Sequence, residues 1–172
     1  LLRDGESISV NLVRQQLEIE SVSTRMIDNI GYIQITSFNA KTAEQFANAM
    51  TTMNSVGAKA LIVDVRQNPG GVVSALKPIL NQFVPSAIAA TVEYSDGSRK
   101  TLIETDSTNS VEIPIAVLVD GGTVSAAELF AAVLRDEAAA LILGSQTFGK
   151  GVMQNTYEFS DGSALTLSVG KI

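Results

Sequence analysis

The chain has 172 residues, 45% hydrophobic and 17% charged, a length and composition that exclude a disordered segment and suit one domain with a single core. A net charge of -6 without a Lys/Arg cluster argues against a nucleic-acid footprint and against acidic partners, and no apolar run reaches the roughly 18 residues of a membrane span. With neither Cys nor His there is no disulfide, thiolate nucleophile, Cys- or His-ligated metal or imidazole base, so any catalysis falls to Ser, Thr, Lys, Asp, Glu or Tyr.

The start, LLRDGESISV, has neither the basic flank nor the apolar length of a signal peptide. It opens on Leu1 in what reads as mid-strand, which predicts part of a longer protein with any targeting segment upstream. The alternation of SISVNLVRQQLEI predicts one or two strands within about the first 25 residues. IGYIQITSF (30–38) is a strand, and TAEQFANAMTTMNSVG (42–57) is a helix with Phe46, Met50 and Met53 on one face and Gly57 as its stop. ALIVDVR (60–66) is a continuous apolar run of the kind covered on both faces, and QNPGG leads from it into a helical VVSALKPILNQFV. Residues 87–106, with Asp96-Gly97 as a turn, read as a hairpin arm or lid. IAVLVD (115–120), the helix SAAELFAAVLRD (125–136) and ALILG (140–144) form a third strand-helix-strand unit, before two strands around a second Asp-Gly turn at 161–162. Strands alternating with helices predict an α/β fold with right-handed crossovers, a mainly parallel sheet flanked by helices, and an appended β-hairpin.

In such a sheet ligands sit beyond the carboxyl ends of the strands. Two loops qualify there. Asp64 to Gly71 (DVRQNPGG) presents glycine backbone at close range, and Asp120 to Ser125 (DGGTVS) puts a serine at a helix start. Ser125 has two readings. With Glu128 it makes the S-A-A-E capping box, each side chain satisfying the other's backbone donor. It also stands on a glycine-rich strand-to-helix turn, like a nucleophile elbow whose following amide binds an oxyanion, with Thr123 as the alternative cap. The readings are compatible. A serine nucleophile needs a base, and without histidine that is a lysine held as free amine by apolar surroundings. Lys41, Lys59, Lys77, Lys100 and Lys171 read as solvated charges, whereas Lys150 lies between two glycines in TFGKGVMQ, after an aromatic and before a strand.

Taken together, GGTVSAAELFAAVLRD, ALILG and TFGKGVMQ resemble the C-terminal processing peptidases, or tail-specific proteases, of serine-peptidase family S41. The family pattern falls on Ser125, Glu128, Asp136, Phe148, Gly149, Lys150, Gly151 and Gln154, with 25 residues from Ser125 to Lys150, and the likeness runs from about residue 20 to the end. The resemblance implies a ClpP/crotonase-like core in which Ser125 is the nucleophile, Lys150 the general base and Gln154 the residue that orients the lysine. It implies an oxyanion hole from the Ala126 amide and an amide of Gly70 or Gly71. Gln154 has a physical rationale, since an amide oxygen holds a neutral amine without adding the charge that favours ammonium. Asp136 is a possible supporting carboxylate, although the helix dipole disfavours it at that end. Arg66 and Asn68 are possible braces of the glycine turn.

The chain departs from the family at T-V-S-A-A, where relatives often have Ser-Ala-Ser-Ala, and at Gln67, where they have Asn. By the resemblance, residues 1–20 are the remnant of an upstream PDZ-like domain and linker. Residues 21–172 are then the peptidase core, cut short at its C-terminus. The implied activity is endoproteolysis near substrate C-termini through an acyl-enzyme. No metal or organic cofactor is implied. The implied partner is a protein or peptide with an extended C-terminal tail, added as a strand to a sheet edge. No nucleic acid is expected, membrane attachment is expected only through a segment outside this chain, and an oligomer is possible. The implied location is extracytoplasmic. Two alternatives stand beside this reading: a catalytically silent S41-like binding or regulatory module, and a crotonase-like acyl-thioester enzyme that has no need of Lys150 near Ser125.

Overall fold

Among the described residues the apolar runs and turn residues fold into three sheets and three α-helices. The computed structural model describes residues 2–13, 19–108 and 111–172. In chain order they form β1 (Leu2–Arg3), β2 (Glu6–Ser7), β3 (Val22–Ile27), β4 (Ile30–Ile35), α1 (Thr42–Ser55) and β5 (Ala60–Asp64). A 3-10 turn (Val73–Ala75) then runs into α2 (Leu76–Leu80), followed by β6 (Ala87–Tyr94), β7 (Arg99–Thr105) and β8 (Ile115–Val119). The last elements are α3 (Ala126–Glu137), β9 (Leu141–Gly144), β10 (Val152–Glu158) and β11 (Ala164–Lys171).

The larger sheet has the order β3-β4-β5-β8-β9, with β4, β5, β8 and β9 parallel and β3 antiparallel at one edge. Parallel neighbours require crossovers, and α1, α2 and α3 supply them. The second sheet, β10-β11-β6-β7, is antiparallel throughout, and its two hairpins join only at Gly170↔Tyr94 and Lys171↔Glu93. The fold is mixed α/β. Among the described residues no helix is long and apolar enough to cross a membrane.

The core lies between the larger sheet and the helices. Phe46, Ala49, Met50 and Met53 recur at helical spacing and turn inward from α1, where the Phe46 ring meets Phe83 edge-on at 5.8 Å. From α3, Phe130 and Leu134 are fully buried, and Phe130 lies 5.8 Å from Phe38 in a tilted pair. α2 touches both other helices and closes the layer. α1 ends at Ser55, and Gly57 turns the chain at a positive φ of 75°.

Three readings of the sequence are corrected. Residues 8–13 carry no strand: β1 and β2 pair only Leu2↔Ser7 and Arg3↔Glu6, because alternation supplies a face without supplying a partner strand. The rest of that expected strand, residues 14–18, lies outside the described residues. The helix expected across VVSALKPILNQFV is confined to Leu76–Leu80 after the 3-10 turn. Pro78 there has no N–H to extend the helix backward, and Val84 precedes Pro85, which disfavours helical backbone. Finally, ALIVDVR is not equally covered on both faces. Leu61, Val63 and Val65 are buried toward the helices, while Ile62 is half-buried on the opposite face beside buried Tyr32 and Asp64.

Candidate active site

β5, β8 and β9 are neighbours, and the loop leaving the carboxyl end of each carries part of the site. The β5 loop is organised by Asn68, which is fully buried. Its Nδ2 donates to the Ile35 carbonyl at 2.9 Å, its Oδ1 accepts the Gly70 N–H at 2.8 Å, and its carbonyl accepts the Val124 N–H at 2.9 Å. At Gly70 an added Cβ would come 2.6 Å from the Val124 carbonyl and 3.0 Å from Ser125 Cβ; at Gly71 it would come 2.0 Å from the Phe38 carbonyl. Only glycine permits that approach, and both residues take positive φ. Phe38 and Val72 bond on either side of Gly71, whose own N–H meets no acceptor among the described residues.

Behind this loop, Arg66 grips buried Asp64 through both nitrogens of its fork, at 2.7 and 3.0 Å, and Tyr32 donates its hydroxyl to the same carboxylate. The Arg25 guanidinium lies 4.1 Å from the centre of the Tyr32 ring. Burial pushes the Asp64 carboxyl up, but Arg66 and Tyr32 outweigh it and hold the group below the usual carboxylate range. Burial, then Asp64, pushes the Tyr32 hydroxyl up.

In the β8 loop, Ser125 is the N-cap of α3 and forms the capping box with Glu128. Its backbone, at φ 57° and ψ -116°, is left-handed and strained for a residue with a side chain. Thr123 does not cap. Its buried hydroxyl donates to the Val65 carbonyl at 2.8 Å and so ties this loop to β5. The Ala126 N–H, at the helix start, meets no acceptor among the described residues.

Glu128 joins the β8 and β9 loops. Its carboxylate accepts the N–H of Ser125 at 2.7 Å, of Gly149 at 2.6 Å and of Lys150 at 2.9 Å. Burial raises its carboxyl, and these bonds, with one from the Thr147 hydroxyl, prevail and keep it below the ordinary range. A further bond, Phe148 N–H to the Thr123 carbonyl at 3.1 Å, ties the same two loops. Half-buried Lys150 donates its Nζ to Gln154 Oε1 at 2.8 Å and makes no ion pair among the described residues.

These groups converge. Ser125, Ala126, Gly71, Lys150 and Gln154 line one cavity of about 380 Å³, whose apolar wall is Val73, Leu102, Leu129, Met153 and Ile172. A shallower hollow of about 260 Å³ continues past Lys150 over Leu129, Ala132 and Ile172. Gly70 is adjacent, but its N–H is occupied by Asn68. Asn68 bonds the glycine turn directly at Gly70, whereas the side-chain bonds of Arg66 among the described residues go to Asp64 at the end of β5. Asp136 is not brought to the cavity; it is exposed at the end of α3 and pairs with Arg135 at 2.7 Å. No group of three or more His, Cys, Asp or Glu placed to hold a metal occurs among the described residues. Sequence reasoning missed Tyr32, Asp64 and Asp120, and saw Glu128 only as a cap and a motif position. The Asp64-x-Arg66 spacing is a signal that could have found Asp64; nothing local marks Glu128 as the link to a loop 21 residues on.

The chain matches the Peptidase family S41 model over residues 29–172. It is 38% identical over 167 residues to the carboxy-terminal processing protease CtpA of Bacillus subtilis, covering 96% of this chain and 36% of that protein. It is 31% identical over 165 residues to the carboxyl-terminal-processing protease of Synechocystis, covering 93% of this chain and 38% of that protein. Among solved structures, the photosystem II D1 C-terminal processing protease superposes with a TM-score of 0.82 at 29% identity, over 92% of this chain and 45% of that one. The chain thus spans little more than a third of the length of these curated relatives. By this match, over most of its length, the chain belongs to peptidase family S41.

Proposed function

We propose that residues 21–172 form a ClpP/crotonase-like core of a serine endopeptidase that cuts protein substrates near their C-termini through an acyl-enzyme. The observation that carries this reading is the shared cavity, in which Lys150 is held by an amide oxygen rather than a carboxylate, beside Ser125 and two unpartnered backbone N–H groups. Lys150, as free amine, takes the Ser125 hydroxyl proton while Oγ attacks the scissile carbonyl. The developing oxyanion is received by the Gly71 and Ala126 amides, and Gly70 contributes conformation rather than a donor. The Lys150 ammonium then protonates the leaving amine, and the Ser125 ester remains. In the second half Lys150 takes a proton from water, hydroxide attacks the ester, and the ammonium returns its proton to Oγ. Asp136, paired at the surface, has no step here. The apolar wall suits uncharged side chains beside the scissile bond, in an extended tail. The extracytoplasmic location is proposed with the family resemblance. An acyl-thioester enzyme has no use for Lys150 beside Ser125, so the shared cavity favours the peptidase.

The test is fluorophosphonate labelling and cleavage of unstructured C-terminal tails by the full-length protein, with Ser125→Ala and Lys150→Ala alongside. Labelling and cleavage by wild type, with both variants silent, are expected. A wild-type protein that neither labels nor cuts across a broad peptide panel overturns the proposal and leaves the binding-module reading.

A further inference from the structure

We propose that Gln67 and Asp120 form a clasp that sets the Gly71 and Ala126 amides at the spacing an oxyanion needs, a positioning role that rests on the peptidase reading above. The two amides belong to different loops, one leaving β5 and one leaving β8. Their separation is therefore fixed only by what joins those loops.

Among the described residues three attachments do so. The inner two are made by adjacent residues of the β8 loop: the buried Thr123 hydroxyl donates to the Val65 carbonyl at 2.8 Å, and the Val124 N–H donates to the Asn68 carbonyl at 2.9 Å. The outer one is the clasp: the Gln67 N–H donates to Asp120 Oδ1 at 2.9 Å, and its Nε2 donates to Oδ2 at 2.7 Å. Asp120 Oδ1 also accepts the Gly122 N–H at 2.9 Å, so one carboxylate orders its own loop and holds the other. Two bonds from adjacent residues, Thr123 and Val124, act close to a hinge; the clasp, on the other side of Thr123 in the chain, restrains the rotation they leave.

Two further observations fit a clasp rather than a chance surface contact. Gln67 sits at φ 58°, a left-handed backbone that a long side chain adopts only where its surroundings over-determine it. Its amide also lies flat on Gly122, where an added Cβ would come 2.6 Å from Nε2. Gln67 directly precedes Asn68, which aims the Gly70 to Gly71 turn, and Asp120 leads within five residues to Ser125. Neither Gln67 nor Asp120 lines the cavity, so both are positioning residues.

The test compares Gln67→Ala, Gln67→Glu and the exchange Gln67→Glu with Asp120→Asn in the full-length protein. It measures kcat and KM on a tail peptide, inhibition by a peptide boronate whose tetrahedral adduct occupies the amide pair, and Tm. The single changes are expected to lower kcat about tenfold with KM within about twofold, because misplacement costs transition-state binding and spares ground-state binding. Boronate affinity should fall in parallel with kcat. The exchange restores a donor facing an acceptor and should recover kcat to within about threefold of wild type. If wild type cuts and the single changes leave kcat and boronate affinity intact, the clasp is overturned and the peptidase reading stands. If wild type does not cut, both fall. Should Gln67→Glu unfold, Gln67→Ala, which keeps the backbone bond, decides between these outcomes alone.

Discussion

The loop that carries Ser125 and the strand that carries Gln154 are built to different standards. Ser125 is flanked by Val119, Thr123, Ala126 and Ala127, all buried, and its loop leaves β8, an interior strand of the five-stranded sheet. Lys150 and Gln154 open an antiparallel hairpin whose strands are largely exposed, with Tyr157, Leu165 and Leu167 between 45% and 48% accessible, and which joins β6 through two residue pairs. Ser125 is thus set by the core. Lys150 is set by tethers: Glu128 to Gly149 and Lys150, Phe148 to Thr123, and the Ile172 N–H to the Gly151 carbonyl at 3.0 Å. A core placement fails only when the fold fails, whereas a tethered placement can fail alone.

Experiments that break this contrast begin with the chemistry. Ser125→Ala or Lys150→Ala is expected to lower kcat by roughly 10⁴- to 10⁶-fold, because members of a catalytic set act as a unit; Lys150→Ala should leave Tm unchanged, while Ser125→Ala also loses an N-cap hydroxyl worth about 0.5–2 kcal/mol. Phe130→Ala attacks the core side and should cost about 3–5 kcal/mol of stability, read by denaturant unfolding, since its ring is fully buried against Phe38. Glu128→Gln attacks the tether. It should lower kcat about 100-fold by moving Lys150, with a much smaller loss of stability than Phe130→Ala. An equal loss of stability in the two variants would erase the difference between core and tether. The tether also has a pH signature. The folded Glu128 carboxyl lies below its ordinary value, so its contribution is fully present above the ordinary glutamate range and is lost as pH falls through the lowered value. The Tm gap between wild type and Glu128→Gln should close in acid; a gap constant with pH would refute the tether. The smallest effect is expected on the outer hairpin, where Leu167→Ala should change stability by less than about 0.5 kcal/mol.

The strand-helix alternation and the glycine loops were legible because periodicity and turn chemistry are local. Phe46, Met50 and Met53 declared a buried face by spacing alone, and Asn68 was readable as a brace because a polar residue before Pro-Gly-Gly has few other uses. What could not be read was pairing at distance. Asp120 was visible only as the end of a strand, and nothing near it names Gln67, 53 residues earlier, as its partner. The alternation of SISVNL was real, but a strand needs a neighbour, and sequence pattern does not specify one. Asp136 failed as a site residue for a related reason: motif position does not say which way a helix end faces.

The backbone of Ser125 bears on how this protein would fare under selection for durability. A non-glycine residue at φ 57° and ψ -116° costs about 1–3 kcal/mol, whereas glycine there forfeits only about 0.5–1 kcal/mol of chain entropy and a few tenths of a capping bond. Ser125→Gly should therefore raise Tm. A screen that scored heat resistance alone would retain that variant, and in retaining it would discard the hydroxyl proposed above as the nucleophile.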